Sequence, residues 1–341
     1  MRRIRVLVVV VFGLAAALVG AVPDSVSAVP ARGRCRATVF VANELNDTVS
    51  TIDATTGIKN PADIAVGSAP VQVAVTPDGK TAFVANYGNG TVSTIDVKTR
   101  TKSPADIAVG TGPFGVAITP DGKTAVVTNN ASGTVSSIDV KTRTKNPADI
   151  PVGNYPKGVA ITPDGKTAFV TLANLAAGSE PGANSVATID LKTRTKNPTD
   201  IPVGGTPIRV RVTPDGKTAF VTGDPVAMIN VKSRIKKPTD IGIPGDDVAF
   251  TPNSTTAFLT NSVSNTVSAI DMTTGAKNPD NIPVGTSPNG VAVTPNGKTA
   301  FVADNGSGMV STIDVKTRMR DPNDIPVGTL PVGVAVTPCR R

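Results

Sequence analysis

Short runs of apolar and small polar residues recur along most of the chain, separated by turn residues. Each repeat holds four such runs, of the types GVAVTP, TAFVAN, TVSTIDV and ADIPVG. Runs of this length that are rich in Val, Ile and Thr and bounded by Gly, Pro, Asn and Asp predict β-strands. Asp78-Gly79 and Asn296-Gly297 between the first two runs predict tight hairpins, because glycine adopts positive φ without strain. The pattern predicts four-stranded antiparallel units.

The repeats are counted most easily by a Thr-Pro pair that ends the first run of each unit. These prolines are Pro77, Pro120, Pro163, Pro214, Pro252, Pro295 and Pro338, spaced by 43, 43, 51, 38, 43 and 43 residues. A period near 43 with four short strands is typical of a propeller blade. The sequence therefore predicts an all-β, seven-bladed β-propeller with four antiparallel strands per blade.

The two ends of the repeat region hold complementary parts of one unit. Residues 38–43 form a second-type run with no first run before it, and residues 333–338 form a first-type run with no second run after it. We expect these segments to pair in a composite blade, which closes the ring and removes exposed sheet edges. The predicted blades are 68–110, 111–153, 154–204, 205–242, 243–285 and 286–328, with a composite blade made of 35–67 and 329–338.

The N-terminus has the pattern of an export signal. Arg2, Arg3 and Arg5 precede an apolar run over 6–22, and Val26-Ser27-Ala28 offers a small-residue cleavage site. We expect a signal peptide over 1–28, a mature propeller over 29–341, and a secreted or cell-envelope protein without an integral membrane segment after cleavage. The alternative is that the apolar run is retained as an anchor.

The two cysteines occupy equivalent turn positions at the two ends of the propeller. Cys339 follows the last Thr-Pro pair, and Cys35 stands at the matching distance before the second strand of the composite blade. In an exported protein this placement predicts a Cys35–Cys339 disulfide that locks the ring, and two free thiols are the alternative.

The second and third runs carry a family resemblance. Phe40-Val41-Ala42-Asn43, Val126-Val127-Thr128-Asn129 and Phe258-Leu259-Thr260-Asn261, each followed by a T-V-S-x-I-D segment, resemble the motif of YVTN β-propeller repeat proteins. The resemblance covers residues 35–338 and implies a seven-bladed propeller, often exported or on the cell surface in bacteria and archaea. It implies no catalytic residue set. Leu172 and Gly223 depart from it, because they replace the motif Asn.

Composition excludes several kinds of chemistry. The chain has no histidine and no tryptophan, two tyrosines, and a net charge of +8. Without histidine there is no Ser-His or Cys-His nucleophile, and the commonest general base and transition-metal ligand are missing. Few aromatic residues are available to stack on bases, so we do not expect nucleic-acid binding. The lysine and arginine residues of the first and third turns should lie on one face of the propeller. We interpret them as solvent-exposed turn residues that keep the protein soluble.

Positions that break the repeat symmetry are the best candidates for function, because residues present in every blade serve the fold. Charged residues replace the usual apolar ones in and around three first strands, whose residues line the central channel of a propeller. The candidate ligand-binding residues are Lys157, Arg209, Arg211, Asp224, Asp246 and Asp247. The expanded turn 172–184 would cover them as a lid. The alternative is a structural ion-pair group between Arg209/Arg211 and Asp246/Asp247.

The leading hypothesis is a non-catalytic, monomeric binding scaffold outside the membrane, with an unknown extracellular ligand or protein as its partner. One alternative is a propeller enzyme of lactonase or lyase type that uses a divalent ion in the channel. Another is binding of anionic cell-envelope polymer to the basic face. No cofactor is predicted. Asp246 and Asp247 offer oxygen ligands for Ca²⁺, but no spaced calcium loop accompanies them.

Overall fold

The described residues, 36–173 and 184–339 of the computed structural model, form seven antiparallel sheets. In each sheet the four strands follow one another in chain order from the propeller axis outward, apart from the composite blade. The predicted all-β, seven-bladed propeller is confirmed. We number the continuous blades 1 to 6 in chain order.

The strand bounds repeat closely between blades. First strands are Pro70–Val75, Pro113–Ile118, Pro156–Ile161, Val210–Val212, Val248–Phe250 and Pro288–Val293, with Pro331–Val336 in the composite blade. Second strands are Thr81–Asn86, Thr124–Asn129, Thr167–Leu172, Thr218–Val221, Thr256–Asn261 and Thr299–Asp304, with Thr38–Asn43 in the composite blade. Third strands are Thr91–Asp96, Thr134–Asp139, Ser185–Asp190, Ala227–Asn230, Thr266–Asp271 and Met309–Asp314, with Thr48–Asp53 in the composite blade.

The ring closes through the composite blade, as the sequence predicts. Pro331–Val336 pairs with Thr38–Asn43, with Val336 opposite Val39 and Val334 opposite Val41. Beyond this ladder, the backbone N–H of Thr337 donates to the carbonyl of Thr38 at 2.9 Å, and the Thr38 N–H donates to Thr337 Oγ1 at 2.9 Å. The two termini of the described propeller are therefore hydrogen-bonded neighbours. Cys35 lies outside the described residues, so its pairing with Cys339 stays a prediction.

The fourth strand differs from the prediction of one continuous ADIPVG-type run. In blade 1 it consists of two short segments, Thr101–Lys102 and Ile107–Ala108, which pair with opposite ends of the third strand. The chain bends between them at Pro104, which has no N–H to donate to a ladder. Lys102 Nζ spans the bend to Asp106 Oδ1 at 2.7 Å. The same Lys-to-Asp pair recurs in blades 2, 3 and 4 and in the composite blade, with an arginine in blade 6.

Packing between blades depends on a phenylalanine near the middle of six of the seven second strands. These rings are fully buried at Phe40, Phe83, Phe169, Phe220, Phe258 and Phe301. Phe301, for example, packs against Val39, Val41 and Ile52 of the next blade. Blade 2 has Val126 at this position instead.

The motif asparagine that ends the second strand is buried in blades 1 and 2 and in the composite blade, where it serves the fold. In blade 1, Asn86 Nδ2 donates to Thr91 Oγ1 at 3.0 Å and to Ser93 Oγ at 2.9 Å, and Ser93 donates to Asp106 Oδ1 at 2.8 Å. Gly67 leaves room for this amide, since a Cβ there would lie 2.4 Å from Asn86 Nδ2. The asparagine therefore links the second, third and fourth strands of its blade.

No helix within the described ranges is long and apolar enough to cross a membrane. The helical segment found there is the single 3-10 turn Glu44–Asn46.

Candidate functional site

The first strands of the seven blades converge on the axis at one residue position. In chain order from blade 1 to the composite blade, this position holds Gln72, Gly115, Gly158, Arg209, Asp247, Gly290 and Gly333. The glycines are needed because neighbouring strands nearly touch there: a Cβ on Gly158 would lie 2.6 Å from the Arg209 Cα, and one on Gly333 would lie 2.7 Å from the Val71 carbonyl oxygen. We call this the axial position. Its three side chains meet at the centre of the ring.

Arg209 crosses the channel at the axial position, and its side chain is 4% exposed. Its guanidinium donates to Gln72 Oε1 in blade 1, and to Asn289 Oδ1 in blade 6 at 2.9 Å. Arg209 Nε lies 3.8 Å from Asp247 Oδ2 in blade 5, and the guanidinium carbon lies 5.9 Å from the centre of the Phe114 ring in blade 2. One side chain from blade 4 thus contacts four other blades and closes the channel.

Asp247 is shared between two arginines. Arg211 Nε donates to Asp247 Oδ1 at 3.0 Å and Arg211 Nη2 to Oδ2 at 2.9 Å, a bidentate ion pair with a carboxylate that is 1% exposed. The N–H of Val248 also donates to Asp247 Oδ1, at 2.9 Å. Burial lowers the pKa of Arg209, and Asp247 opposes that effect. Burial acts on Arg211 too, but its ion pair and hydrogen bonds with Asp247 leave the pKa raised.

Below Arg209 the channel widens into a chamber of about 390 Å³, which we call the axial chamber. Two residues beyond the axial position, every blade but one presents an alanine to it: Ala74, Ala117, Ala160, Ala249, Ala292 and Ala335. Arg211 occupies this place in blade 4, and 27% of its side chain is exposed. Two of its five N–H donors bind Asp247, so three remain. A single guanidinium therefore faces a small, open cavity whose lining side chains are mostly alanine and valine.

The other mouth of the channel is polar on one side. Lys157, Asp246 and Asn289 precede the axial position in blades 3, 5 and 6, whereas Val71 and Val332 take the same place in blade 1 and the composite blade. The motif threonine of the preceding blade binds the carbonyl of each polar residue. The bonds run from Thr128 to Lys157 at 2.5 Å, from Thr222 to Asp246 at 3.0 Å, and from Thr260 to Asn289 at 2.6 Å. Where the motif reads VAN, the alanine leaves this bond unmade. Thr171 makes the same bond to the carbonyl of Ile208 at 3.1 Å, so the threonine fixes the backbone of blades 3 to 6 at this mouth whatever the side chain.

The structure brings together only part of the predicted residue set. Arg209, Arg211 and Asp247 form the axial group. Lys157 and Asp246 are half-buried at the mouth, where burial lowers the pKa of Lys157 and the Ser262 N–H donates to Asp246 Oδ2 at 2.7 Å. Asp224 is exposed in the turn after the second strand of blade 4, and no hydrogen bond or ion pair seen in the described ranges joins it to the axial group.

Sequence reasoning missed Gln72, Asn289 and Phe114, which complete the shell around Arg209. The available signal was the same broken symmetry, because Gln72 replaces a glycine at the axial position. The predicted lid cannot be placed, since 174–183 lie outside the described residues.

The oxygen atoms around the axis bear on the calcium prediction. Gln72 Oε1, Asn289 Oδ1 and Asp247 Oδ2 are hard donors of the kind that Ca²⁺ prefers. The Arg209 guanidinium already occupies the centre of this set. Within 36–173 and 184–339, no group of three or more His, Cys, Asp or Glu side chains is arranged to hold a metal ion.

Comparison with known proteins agrees with the propeller architecture. The family model described as YNCE-like β-propeller matches residues 1–105, and together with the seven blades this match is consistent with a YVTN-type propeller. No curated protein sequence matches the chain.

Solved structures similar to the chain share its fold at low sequence identity. A functionally unknown protein from Desulfotomaculum acetoxidans is 17% identical, with a TM-score of 0.74 over 89% of this chain and 100% of the other. A protein provisionally described as a 6-phosphogluconolactonase from Bacteroides uniformis is 16% identical, with a TM-score of 0.73 over 89% and 100%. Apo AztD from Citrobacter koseri is 16% identical, with a TM-score of 0.64 over 90% and 99%. These likenesses concern the fold alone.

Proposed function

We propose that this protein is an exported, non-catalytic binding module whose axial chamber takes a small anion with a short apolar part. The observation that carries the proposal is the guanidinium of Arg211 facing a chamber walled by alanine. Ligand pockets are commonly of this kind, mostly apolar with a few fixed polar groups, in a volume of about 300–1,000 Å³. The chamber of about 390 Å³ suits a ligand of only a few carbon atoms.

The chemistry of Arg211 favours a carboxylate. Asp247 occupies the Nε and Nη2 edge of the guanidinium, so the end that carries both Nη atoms remains for a second planar anion. Arg209 and Arg211 share Asp247, and Asp246 also acts on Arg209, so together with Lys157 this part of the channel carries three cations against two carboxylates. An anionic ligand would balance the excess positive charge, while its alkyl group would contact the alanines.

The enzyme alternative requires a divalent ion in the channel. Arg209 weighs against it, because its own positive charge lies among the oxygen atoms that would coordinate such an ion. The basic-face alternative is weakened by the half-buried pairs that hold one cation of most third turns, such as Lys145 with Asp149 at 2.8 Å.

The proposal is tested with acetate, butyrate and hexanoate, using butylammonium as the oppositely charged control. We expect butyrate to raise the thermal unfolding midpoint in a saturable manner and butylammonium to leave it unchanged. Ala292→Leu narrows the chamber from blade 6, two blades away from Arg211, and it should abolish the response to butyrate. Arg211→Lys keeps the charge but loses the planar fork, and it should weaken binding about tenfold or more.

Two results would contradict the proposal. One is an absence of saturable stabilisation by any of the three carboxylates in the wild-type protein. The other is an equal response in wild type and in a folded Ala292→Leu variant, which would place the anion outside the chamber.

A further inference from the structure

One interface between blades lacks the ring that fills the others. At the phenylalanine position of the second strand, blade 2 has Val126, and the residue opposite it on the third strand is Ser137. Phe83 and Thr94 form this cross-strand pair in blade 1, and Phe301 and Thr312 form it in blade 6. Both members of the pair are therefore smaller in blade 2.

The missing ring coincides with a large groove at the surface between two blades. Between blades 2 and 3 this groove has a volume of about 1010 Å³, and Val126 and Ser137 lie in its lining. The equivalent groove between blade 6 and the composite blade, lined by Phe301 and Thr312, has about 400 Å³. Without the ring, the space extends inward and reaches Ile150 of the fourth strand. We call it the blade 2/3 groove.

The rim of this groove on the blade 3 side is basic. Lys166, Lys192 and Arg194 line it, with Leu191 and a single carboxylate, Asp164, which lies 4.0 Å from Lys166 Nζ. Arg194 reaches across the groove, and its Nη2 donates to the Ala148 carbonyl of blade 2 at 2.6 Å. Its Nε is buried and has no hydrogen-bond partner. A buried donor without a partner costs free energy, so a ligand that brings a hydrogen-bond acceptor to this guanidinium would be bound favourably.

The carboxylates on the opposite rim are already engaged. Asp121 Oδ1 accepts from Thr119 Oγ1 at 2.6 Å, and Asp139 Oδ1 accepts from the Thr142 N–H at 2.7 Å. These bonds lower the pKa of both groups, so the carboxylates stay ionised and bound to their own turns. The free hydrogen-bonding capacity of the groove therefore lies with the cations of blade 3.

We propose that the blade 2/3 groove binds a small amphipathic anion, with an aromatic group in the space that a phenylalanine fills elsewhere and an anionic group on Arg194 and Lys192. The site is separate from the axial chamber. Its larger volume accommodates an aromatic ring, whereas the axial chamber accommodates only a short alkyl chain. Burial of the ring would restore the contacts that Val126 does not make.

The probe for this proposal is 1-anilinonaphthalene-8-sulfonate, which combines aromatic rings with one sulfonate. Its fluorescence should rise on binding to the folded protein with one saturable site. Val126→Phe should lower the affinity at least tenfold by supplying the missing ring, and Arg194→Ala should lower it several-fold by removing the anion partner. Ala292→Leu is the matched control, because it fills the axial chamber and should leave this binding unchanged.

Methyl chemical shifts locate the probe independently. We expect shifts at Ile138 and Ile150 in the groove and none at Val291 in the axial chamber. If Val126→Phe does not fold, Ser137→Leu fills the same space from the third strand and replaces it in the test. Unchanged affinity in a folded ring-filling variant, or shifts confined to the chamber, would overturn the proposal. A wild-type protein that does not respond to butyrate but keeps this binding would count against the axial site alone.

Discussion

Asp304 replaces the motif asparagine in blade 6, and this makes it the sharpest test of the polar network inside each blade. Its side chain is fully buried, with Oδ2 at 2.7 Å from Ser311 Oγ, which in turn lies 3.0 Å from Asp324 Oδ1. Asp304 Oδ1 has no hydrogen-bond partner. In blades 1 and 2 and in the composite blade an amide donates to the serine, whereas an ionised carboxylate at this place can only accept. We therefore expect Asp304 in the folded protein to keep its proton to a higher pH than an exposed aspartate.

The magnitude follows from the pKa. Burial raises the pKa of Asp304 from 3.8 to about 6; the Ser311 hydrogen bond opposes the rise, Asp324 adds to it, and Arg320 opposes it. One pKa unit corresponds to about 1.4 kcal/mol, so the rise corresponds to about 3 kcal/mol. Because the pKa is higher in the folded protein than in the unfolded chain, the stabilising contribution of the protonated Asp304 is fully present below about pH 4. It is lost as the pH rises through about 6.

The variant Asp304→Asn removes this titration and supplies the amide donor that blades 1 and 2 and the composite blade use. We expect the free energy of unfolding of the variant to equal that of the wild type near pH 4 and to be about 3 kcal/mol higher at pH 8. The free energy of unfolding in urea, followed by circular dichroism between pH 4 and pH 8, measures the difference at each pH. Comparing the two proteins at each pH cancels the titration of all other groups.

The converse variant Asn129→Asp places the carboxyl in blade 2, where Thr134 and Ser136 receive the amide at 3.0 and 2.9 Å. It should be less stable than the wild type at pH 8 and close to it at pH 4. A pH-independent difference for Asp304→Asn, or no difference at pH 8, would refute the assignment of a protonated, buried Asp304.

Two further predictions concern closure of the ring. Gly290→Ala should destabilise the protein by about 3 kcal/mol, because its Cβ would clash with the Val332 carbonyl oxygen at the axial position. Gly275→Ala is the control: there is open space around Gly275, but its φ is +73°. This variant should lower the free energy of unfolding by only about 1 kcal/mol in the same urea titration. If residues 1–28 are removed on export and Cys35 pairs with Cys339, the exported protein should begin at Val29 and show no thiol before reduction, and Cys339→Ser should lower the free energy of unfolding by at most about 5 kcal/mol. Equal losses for the two glycine variants, or free thiols in the exported protein, would contradict these expectations.

The blades could be predicted from sequence because their strands are defined by local signals. Hairpin glycines such as Gly79 and Gly122 have φ of 69° and 71°, as the Asp-Gly pairs indicate. The short strand Thr101–Lys102 was not predicted, because it lies in a stretch of turn residues before Pro104 and the Lys102–Asp106 pair beside it depends on side-chain geometry. The burial of the motif asparagine was equally hidden, since it needs a glycine from the preceding connection, as Gly67 shows for Asn86.

Only the charged members of the axial group could be predicted from sequence. Arg209, Arg211 and Asp247 are recognisable because the first strands of other blades have no charged residue at these positions. Gln72 lies 137 positions away from Arg209 in sequence, and only ring closure brings the two side chains together. A neutral residue at such a distance gives no electrostatic signal in the sequence, which is why the inner shell of Arg209 emerged only from the structure.

The two proposed sites illustrate opposite ways in which a repeat protein can depart from its own symmetry. At the axis, charged side chains are added to an interior that is otherwise glycine and alanine, and each needs a partner because an unpaired buried charge is costly. In the blade 2/3 groove a ring is removed, and the cost is lost packing, which a ligand can restore. The added charged groups are therefore paired mainly with one another. Few hydrogen-bonding groups remain at the axis for a ligand beyond the free end of Arg211. The groove leaves a whole ring's space and a buried donor of Arg194 unused, so it should bind the larger ligand.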